Sequence, residues 1–371
     1  MLKKYVIIIQ CILLVVFSAG LQAQSVQSDY TILHLKHRST NVKGLRVALT
    51  DYNGSGSKTS ASTISKIKII ATVADSSSVG YLRWNSGNET SVIVPSGSFT
   101  SWLQSYVDSA YGNSYKTSGT EVLWALQDLK VSEDSSSSTT FLKLKATIYT
   151  HTGAGYLPNV AIDTVLTNSD TADKYSNSIA NGIDVLYNAS ENNINSIFNR
   201  AASVLSTNDI ISASRQQYGL PIIKSNVYEA GIYKSFDEFK NNSPSFRNGI
   251  ARIDVNDGNK VKLYQINADS SFTEVPSAWG ICVSREIYAY KNYQLIPIEK
   301  AGNEFIISRF QDYKKRKNQT HYWDINLAPL VTDKNLFDRK HTYKVPDKYA
   351  GKFASLPVAT RVDMNTGELT F

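Results

Sequence analysis

Leu142-Lys143-Leu144-Lys145-Ala146-Thr147-Ile148 alternates aliphatic with polar residues without a break. Successive side chains of a strand point to opposite faces, so this stretch reads as a β-strand with aliphatics on a core and lysines toward water. Leu45, Val47 and Leu49 keep the same period, as do Ile67, Ile69, Ala71 and Val73. Further strands are expected from Glu121 to Val131 and from Asn159 to Leu166. The period changes at Phe99, Trp102, Leu103, Tyr106, Val107 and Ala110, which fall on one face of a helix. Ser98 is placed to cap that helix and Gly112 to end it. Ile179, Ile183, Leu186 and Tyr187 predict a second helix. Ile194, Ile197, Phe198, Ala201 and Leu205 predict a third. The fold class is therefore α+β, an N-terminal antiparallel sheet covered by amphipathic helices.

Gln216-Gln217-Tyr218-Gly219-Leu220-Pro221 interrupts this pattern, and residues 219–371 read as a β-rich domain of short antiparallel strands. Ser235-Phe236-Asp237-Glu238 fits a capping box opening a short helix, which Asn241 to Pro244 stop. Ala251 to Val255 and Val261 to Ile266 flank Asn256-Asp257-Gly258-Asn259 as a hairpin. Tyr288 to Tyr290, Gln294 to Ile298 and Glu304 to Phe310 continue a meander. The expected organisation is residues 1–23, then an α+β domain at 24–218, then the β-rich domain at 219–371.

The first segment has the layout of a secretory signal peptide. Lys3 and Lys4 precede an apolar run from Tyr5 to Phe17, and small and polar residues lead to Ala23. As a helix the run spans about 20 Å, short of a hydrocarbon core of about 30 Å, so it does not anchor the chain. Cleavage before Gln24 leaves roughly 350 residues, enough for two domains. The expected location is periplasm, outer-membrane periphery or extracellular space, and the protein is not an integral membrane protein.

Charged residues make up only 19% of the chain, while tyrosine alone contributes 22 positions. This mixture suits β-rich exported proteins better than charged helical ones. The formal charge of +7 falls by two with the loss of Lys3 and Lys4. Of the two cysteines, Cys11 lies in the signal segment, where Ile8-Ile9-Gln10 does not suit a lipidated cysteine. Cys282 is then alone, within the apolar run Trp279-Gly280-Ile281-Cys282-Val283, and reads as a buried small hydrophobe.

Most site chemistries are excluded by spacing. His34, His37, His151, His321 and His341 form no zinc pattern, and no metal or cofactor is expected. Gly54-Ser55-Gly56-Ser57-Lys58 is too short for a phosphate loop, and no G-x-S-x-G elbow occurs. Asp254 to Gly258 lacks the ligand order of a calcium loop. Asp128, Glu133, Glu274 and Glu286 are candidates for a dispersed carboxylate pair by elimination alone.

A basic–aromatic stretch stands out instead. Lys314, Lys315, Arg316 and Lys317 form a run beside Tyr313, Tyr322 and Trp323. Such cations fit anionic lipid or polysaccharide, and the rings add apolar contact or sugar stacking. Tyr288, Tyr290 and Tyr293 belong to the same aromatic-rich half. Asp170-Thr171-Ala172 resembles a bacterial O-glycan acceptor, making Thr171 a candidate modification site, although Asp108-Ser109-Ala110 matches equally well inside a helix.

Gly231-Ile232-Tyr233-Lys234-Ser235-Phe236-Asp237-Glu238-Phe239, followed by Asn242 and Pro244, resembles a segment of uncharacterised exported proteins of Bacteroidota-type bacteria. Trp279-Gly280 and the ending Asp363-Met364-Asn365-Thr366-Gly367-Glu368-Leu369 are similar to the same group. The resemblance implies export and no particular activity. Residues 90–205 are similar in layout to envelope auxiliary proteins of lipid-transport systems.

These readings converge on an exported, non-enzymatic envelope protein that binds another envelope component, either an envelope protein or anionic lipid or polysaccharide. Nucleic acid is not an expected partner. The alternatives are a secreted polysaccharide-binding module and a hydrolase with a dispersed carboxylate site.

Overall fold

Strands β1 (Val42–Val47), β2 (Ile64–Ala71), β3 (Gly80–Arg83), β4 (Thr90–Pro95), β5 (Thr120–Asp134), β6 (Thr139–Thr152) and β7 (Gly155–Asn168) form one sheet in the computed structural model. That structure describes residues 42–49, 63–83, 90–134, 139–169, 173–194, 203–216, 218–254, 260–308 and 357–371. The strand order is β1-β4-β3-β5-β6-β7, with β2 also paired to β5. The sheet is mixed rather than wholly antiparallel: β5, β6 and β7 pair antiparallel, whereas β1 with β4 and β2 with β5 are parallel. The parallel pairs arise where a crossover intervenes, as between β2 and β5, which are separated by helix α1 (Phe99–Tyr111).

Alternation along β5 changes phase once. Val122, Trp124 and Leu126 are buried on the helix-covered face, and the next apolar residues of that cluster are Leu129 and Val131. The pairing with β6 shifts between Leu126 and Asp128, so Gln127 is an extra, bulged residue. The bulge keeps Leu129 and Val131 in the core and delivers Asp128 and Lys130 to the opposite face.

Helix α1 buries Phe99, Trp102, Leu103, Tyr106, Val107 and Tyr111, while Ala110 is exposed. Ser98 caps it by accepting from Ser101 N at 3.3 Å. Gly112 stays right-handed and leads into a short turn instead of ending the helix in a left-handed cap. Gln104 donates to Ile67 O at 2.9 Å and accepts from Ile69 N at 3.0 Å, so a helix side chain satisfies backbone groups of β2 that a further strand would otherwise take. Helix α2 (Lys174–Asn193) packs on β5, β6 and β7. Trp124, fully buried beneath it, donates to Ser190 Oγ at 2.9 Å. Burying each such large apolar side chain contributes about 1.5–3 kcal/mol.

The other face of the sheet is covered too. Ile210 of helix α3 (Thr207–Gln216) packs with Leu123, Ala125, Tyr149 and Tyr156. Leu205 is not helical: it exchanges two backbone hydrogen bonds of 2.9 Å with Tyr156. Ile197, Phe198 and Ala201 of the expected third helix lie outside the described residues. Lys143 and Lys145 do not face open water as expected. The Lys143 side chain is 11% exposed and sits 2.5 Å from Asp163 Oδ1, because this face is also covered.

The chain divides into two compact units. One comprises Thr40–Tyr228, Lys240–Asn242 and Pro297–Phe371, and the other includes Glu229–Phe239 and Ser243–Ile296. A short helix α4 (Pro221–Lys224) belongs to the first unit. In the second unit, β8 (Gly231–Tyr233) leads to helix α5 (Phe236–Lys240). There β9 (Gly249–Asp254), β10 (Lys260–Ile266) and β11 (Phe272–Glu274) make a three-stranded antiparallel sheet. Separately, β12 (Gly280–Val283) pairs with β8 and with β13 (Glu286–Lys291). Strand β14 (Gln294–Ala301) carries the chain out of this unit at Ile296–Pro297. In the first unit its distal half pairs with β15 (Glu304–Ile307), β15 with β16 (Arg361–Val362), and β16 with β17 (Leu369–Thr370).

Glu238 N donates to Ser235 Oγ at 3.3 Å, and Lys234 N donates to Glu238 Oε2 at 2.7 Å, so the cap forms with the carboxylate reaching one residue further back than a capping box. Phe239 stacks on Trp279 with centroids 4.1 Å apart, and Phe236 lies 5.3 Å from the same ring. Asp363 Oδ1 accepts from Asn365 N at 2.7 Å, and Gly367 takes φ 79°, closing the β16–β17 hairpin. Among the described residues no helix is long and apolar enough to cross a membrane.

Candidate functional site

The bulge at Gln127 places Asp128 and Lys130 where β15 and β16 bring Glu304 and Arg361. Asp128 and Glu304 are each 5% exposed, so their charges need internal partners. Arg361 donates to Asp128 Oδ2 through Nη2 and to Glu304 Oε2 through Nη1 at 3.4 Å. Its Nη2 also reaches Phe371 O at 3.5 Å. Lys130 Nζ lies 3.5 Å from Glu304 Oε1 and donates to Asp75 O and Ser78 O at 3.2 and 3.0 Å. Glu304 thus links the two cations, and the pairs form one chain from Asp75 to Asp128.

The segment before β3 is folded around Asp75. Its Oδ1 accepts from Ser77 N at 2.9 Å and Ser77 Oγ at 2.6 Å, and its Oδ2 accepts from Ser78 Oγ at 3.0 Å. The β14–β15 turn docks there, with Asn303 N donating to Ala74 O at 3.0 Å. Tyr81 fixes the opposite wall by donating to Ile307 O at 3.1 Å and Thr360 O at 3.2 Å. These elements enclose a cavity of about 220 Å³ whose lining includes Lys130, Lys300, Glu304, Thr360, Arg361 and Phe371. Lys300 Nζ donates to Ile223 O and to Ser225 O.

The electrostatics follow from this geometry. For Arg361, burial opposes the charge, but Asp128 and Glu304 outweigh it and hold the guanidinium above its ordinary pKa. For Asp75, burial raises the pKa, yet Lys130 and the hydrogen bonds from Ser77 and Ser78 together lower it below the usual value. A carboxylate depressed in the folded state contributes stability above its unfolded pKa, and that contribution is lost as pH falls through the folded pKa. Replacing Asp75 by Asn is therefore expected to destabilise the protein at neutral pH and progressively less below about pH 4. Urea denaturation of both proteins at neutral and acid pH checks this. An equal difference at both would contradict it.

Of the four carboxylates considered from sequence, Asp128 and Glu133 belong to the first unit and Glu274 and Glu286 to the second. Asp128 is bound to Arg361. Glu133, also on β5, accepts from Lys174 and from Tyr175 Oη, the latter at 2.5 Å. Glu286 accepts from Tyr288 Oη, and Glu274 is exposed on β11. Of the tyrosines, Tyr288 is 5% exposed and packs in a core, Tyr290 is half-buried, and Tyr293 is exposed. Cys282 is 1% exposed, and burial pushes its thiol up to about 11. Residues 1–23, Thr171, Tyr313, Lys314, Lys315, Arg316, Lys317, Tyr322 and Trp323 lie outside the described residues. Arg361, Glu304 and Lys130 were missed. Their signal was the phase change at Gln127 and a lone cation in Val358-Ala359-Thr360-Arg361-Val362.

No family model matches the chain, and no curated protein matches it. Among solved structures, the DUF330 protein XCC0632 from Xanthomonas campestris is similar at 11% identity over 41% of this chain and 98% of its own. The TM-score is 0.23, a likeness too slight to build on.

Proposed function

We propose that this chain is an exported, non-enzymatic envelope protein whose cavity binds a small zwitterionic group of another envelope component. The observation that carries this reading is the cavity's fixed set of both charges: Glu304 and Asp75 beside Lys130, Lys300 and Arg361. Among the described residues Arg361 uses two N–H groups on carboxylates and one contact on Phe371 O, leaving guanidinium donors for a ligand anion. Glu304 supplies the acceptor for a ligand cation. These groups are already desolvated and oriented, which favours recognition, and a guanidinium held in its charged form does not exchange protons during turnover. Export rests on Lys3, Lys4, the apolar run and Ala23.

Calorimetric titration with phosphoethanolamine and with D-alanyl-D-alanine tests the reading and separates a lipid headgroup from a cell-wall peptide as source. One of the two should bind, glucose should not, and Ser78→Trp, which fills the cavity, should remove binding. Absence of heat with both probes would overturn the assignment, as would chemical conversion of either.

A further inference from the structure

We infer that the zwitterion held by the cavity belongs to an α-amino acid whose aliphatic side chain ends in a second carboxylate, and that Arg46 on β1 receives that carboxylate; the cavity's share in this rests on the reading proposed above. Cavity and strand lie in the same compact unit. Register carries the cavity wall outward. Val92 lines the cavity, and Gly44 stands directly opposite it on β1. The next pair on that face is Val94 with Arg46, because Ile93 and Val47, which alternate with them, are buried in the helix-covered core. Arg46 is thus one strand across and two residues along from Val92, about 8 Å between Cα atoms.

Gly44 keeps this path clear. It takes no left-handed φ, and among the described residues a Cβ added there would meet only Val94 Cγ2, at 3.8 Å. Glycine inside a strand weakens it and often marks a place where a ligand comes close to the backbone. Backbone conformation does not call for glycine here, so its missing side chain serves the open space above it. Arg46 is exposed, and among the described residues no hydrogen bond or ion pair occupies its guanidinium. The cavity cations, by contrast, are engaged: Lys130 with Glu304, Lys300 with the Ile223 and Ser225 carbonyls, Arg361 with Asp128 and Glu304. Ser176 Oγ donates to Ala48 O at 3.1 Å, which holds β1 just past Arg46.

These features set the shape of the ligand. Val92 and Val94 are half-buried and suit a short aliphatic spacer. A long acyl chain is disfavoured, since Gly44 and Arg46 are exposed and the chain would stay in water. A guanidinium with free N–H groups matches a carboxylate through two parallel hydrogen bonds. An arginine on an edge strand also discourages pairing with other chains, but that role needs no glycine beside Val92.

Calorimetric titration at low salt with 2-aminopimelate, 2-aminoheptanoate and lysine tests the inference. These share the zwitterion and an unbranched chain, which ends in a carboxylate, a methyl and an ammonium respectively. 2-Aminopimelate should bind about threefold to tenfold more tightly than 2-aminoheptanoate, with the advantage shrinking in added salt, and lysine should bind most weakly. Arg46→Gln should bring the first two level without changing 2-aminoheptanoate binding or thermal unfolding, and Arg46→Lys should keep part of the preference. Equal binding of 2-aminopimelate and 2-aminoheptanoate, or a preference that survives Arg46→Gln, would overturn the role of Arg46 and leave the cavity reading standing. Binding of phosphoethanolamine but of none of these amino acids would do the same. Failure of all of them and of D-alanyl-D-alanine would overturn both.

Discussion

Replacing Arg361 by Ala is expected to destabilise the unit holding β1–β7 by about 3–5 kcal/mol, because it strands buried Asp128 and Glu304 without their shared cation. Lysine is a poor substitute, since one ammonium cannot reproduce a guanidinium fork on two carboxylates. The loss has a distinctive remedy. Combining Arg361→Met with Asp128→Leu and Glu304→Gln should recover much of it, since removing buried charges together avoids leaving one unpaired. Equilibrium urea unfolding of the single and triple variants checks both statements. A single-variant shift within about 0.5 kcal/mol, as at an ordinary surface position, would show that the network does not hold the hairpin to the sheet.

Gly80→Ala is expected to be comparably severe for a different reason. Gly80 takes φ 148°, and an added Cβ would stand 2.0 Å from the Val131 carbonyl oxygen. The contact is backbone on backbone, so no rotamer change relieves it. Val131 N also donates to Val79 O at 2.6 Å in this bridge between β3 and β5. Moving the strands apart would break that bond and open the cavity wall that Gly80, Tyr81 and Val131 share. A loss above about 3 kcal/mol is expected, from strain added to lost pairing. Thermal unfolding measures it, and a melting curve superimposable on the parent's would contradict the close approach.

Local periodicity made the individual elements legible. Trp102, Leu103, Tyr106 and Val107 announced α1, and Ile179, Ile183 and Leu186 announced the face by which α2 packs on the sheet. Ser98 and Ser235 marked helix starts that form with side-chain caps. What alternation cannot carry is partner choice: the parallel pairing of β2 with β5 depends on a crossover, not on either strand's own pattern. The lysines of β6 show a second limit. An aliphatic–lysine alternation specifies two faces but not whether the polar one is covered, and here Asp163 meets Lys143.

The cavity was the least legible part. Arg361 and Asp128 are 233 residues apart, and each looks ordinary in its own strand. Only the change of phase between Leu126 and Leu129 hinted that Asp128 and Lys130 face away from the helices. Elimination chose carboxylates by their type, whereas the structure selects them by the cation they share.

The cavity is proposed to recognise an envelope component after export. Photocrosslinking in intact cells, from a photoreactive residue at Ser77 on the cavity lining, tests it most directly, with the exposed Ser105 of α1 as control. A covalent product with a lipid or cell-wall component from Ser77 and not from Ser105, in the exported fraction, is expected. A product with a cytosolic component, or the same yield from both positions, would contradict it.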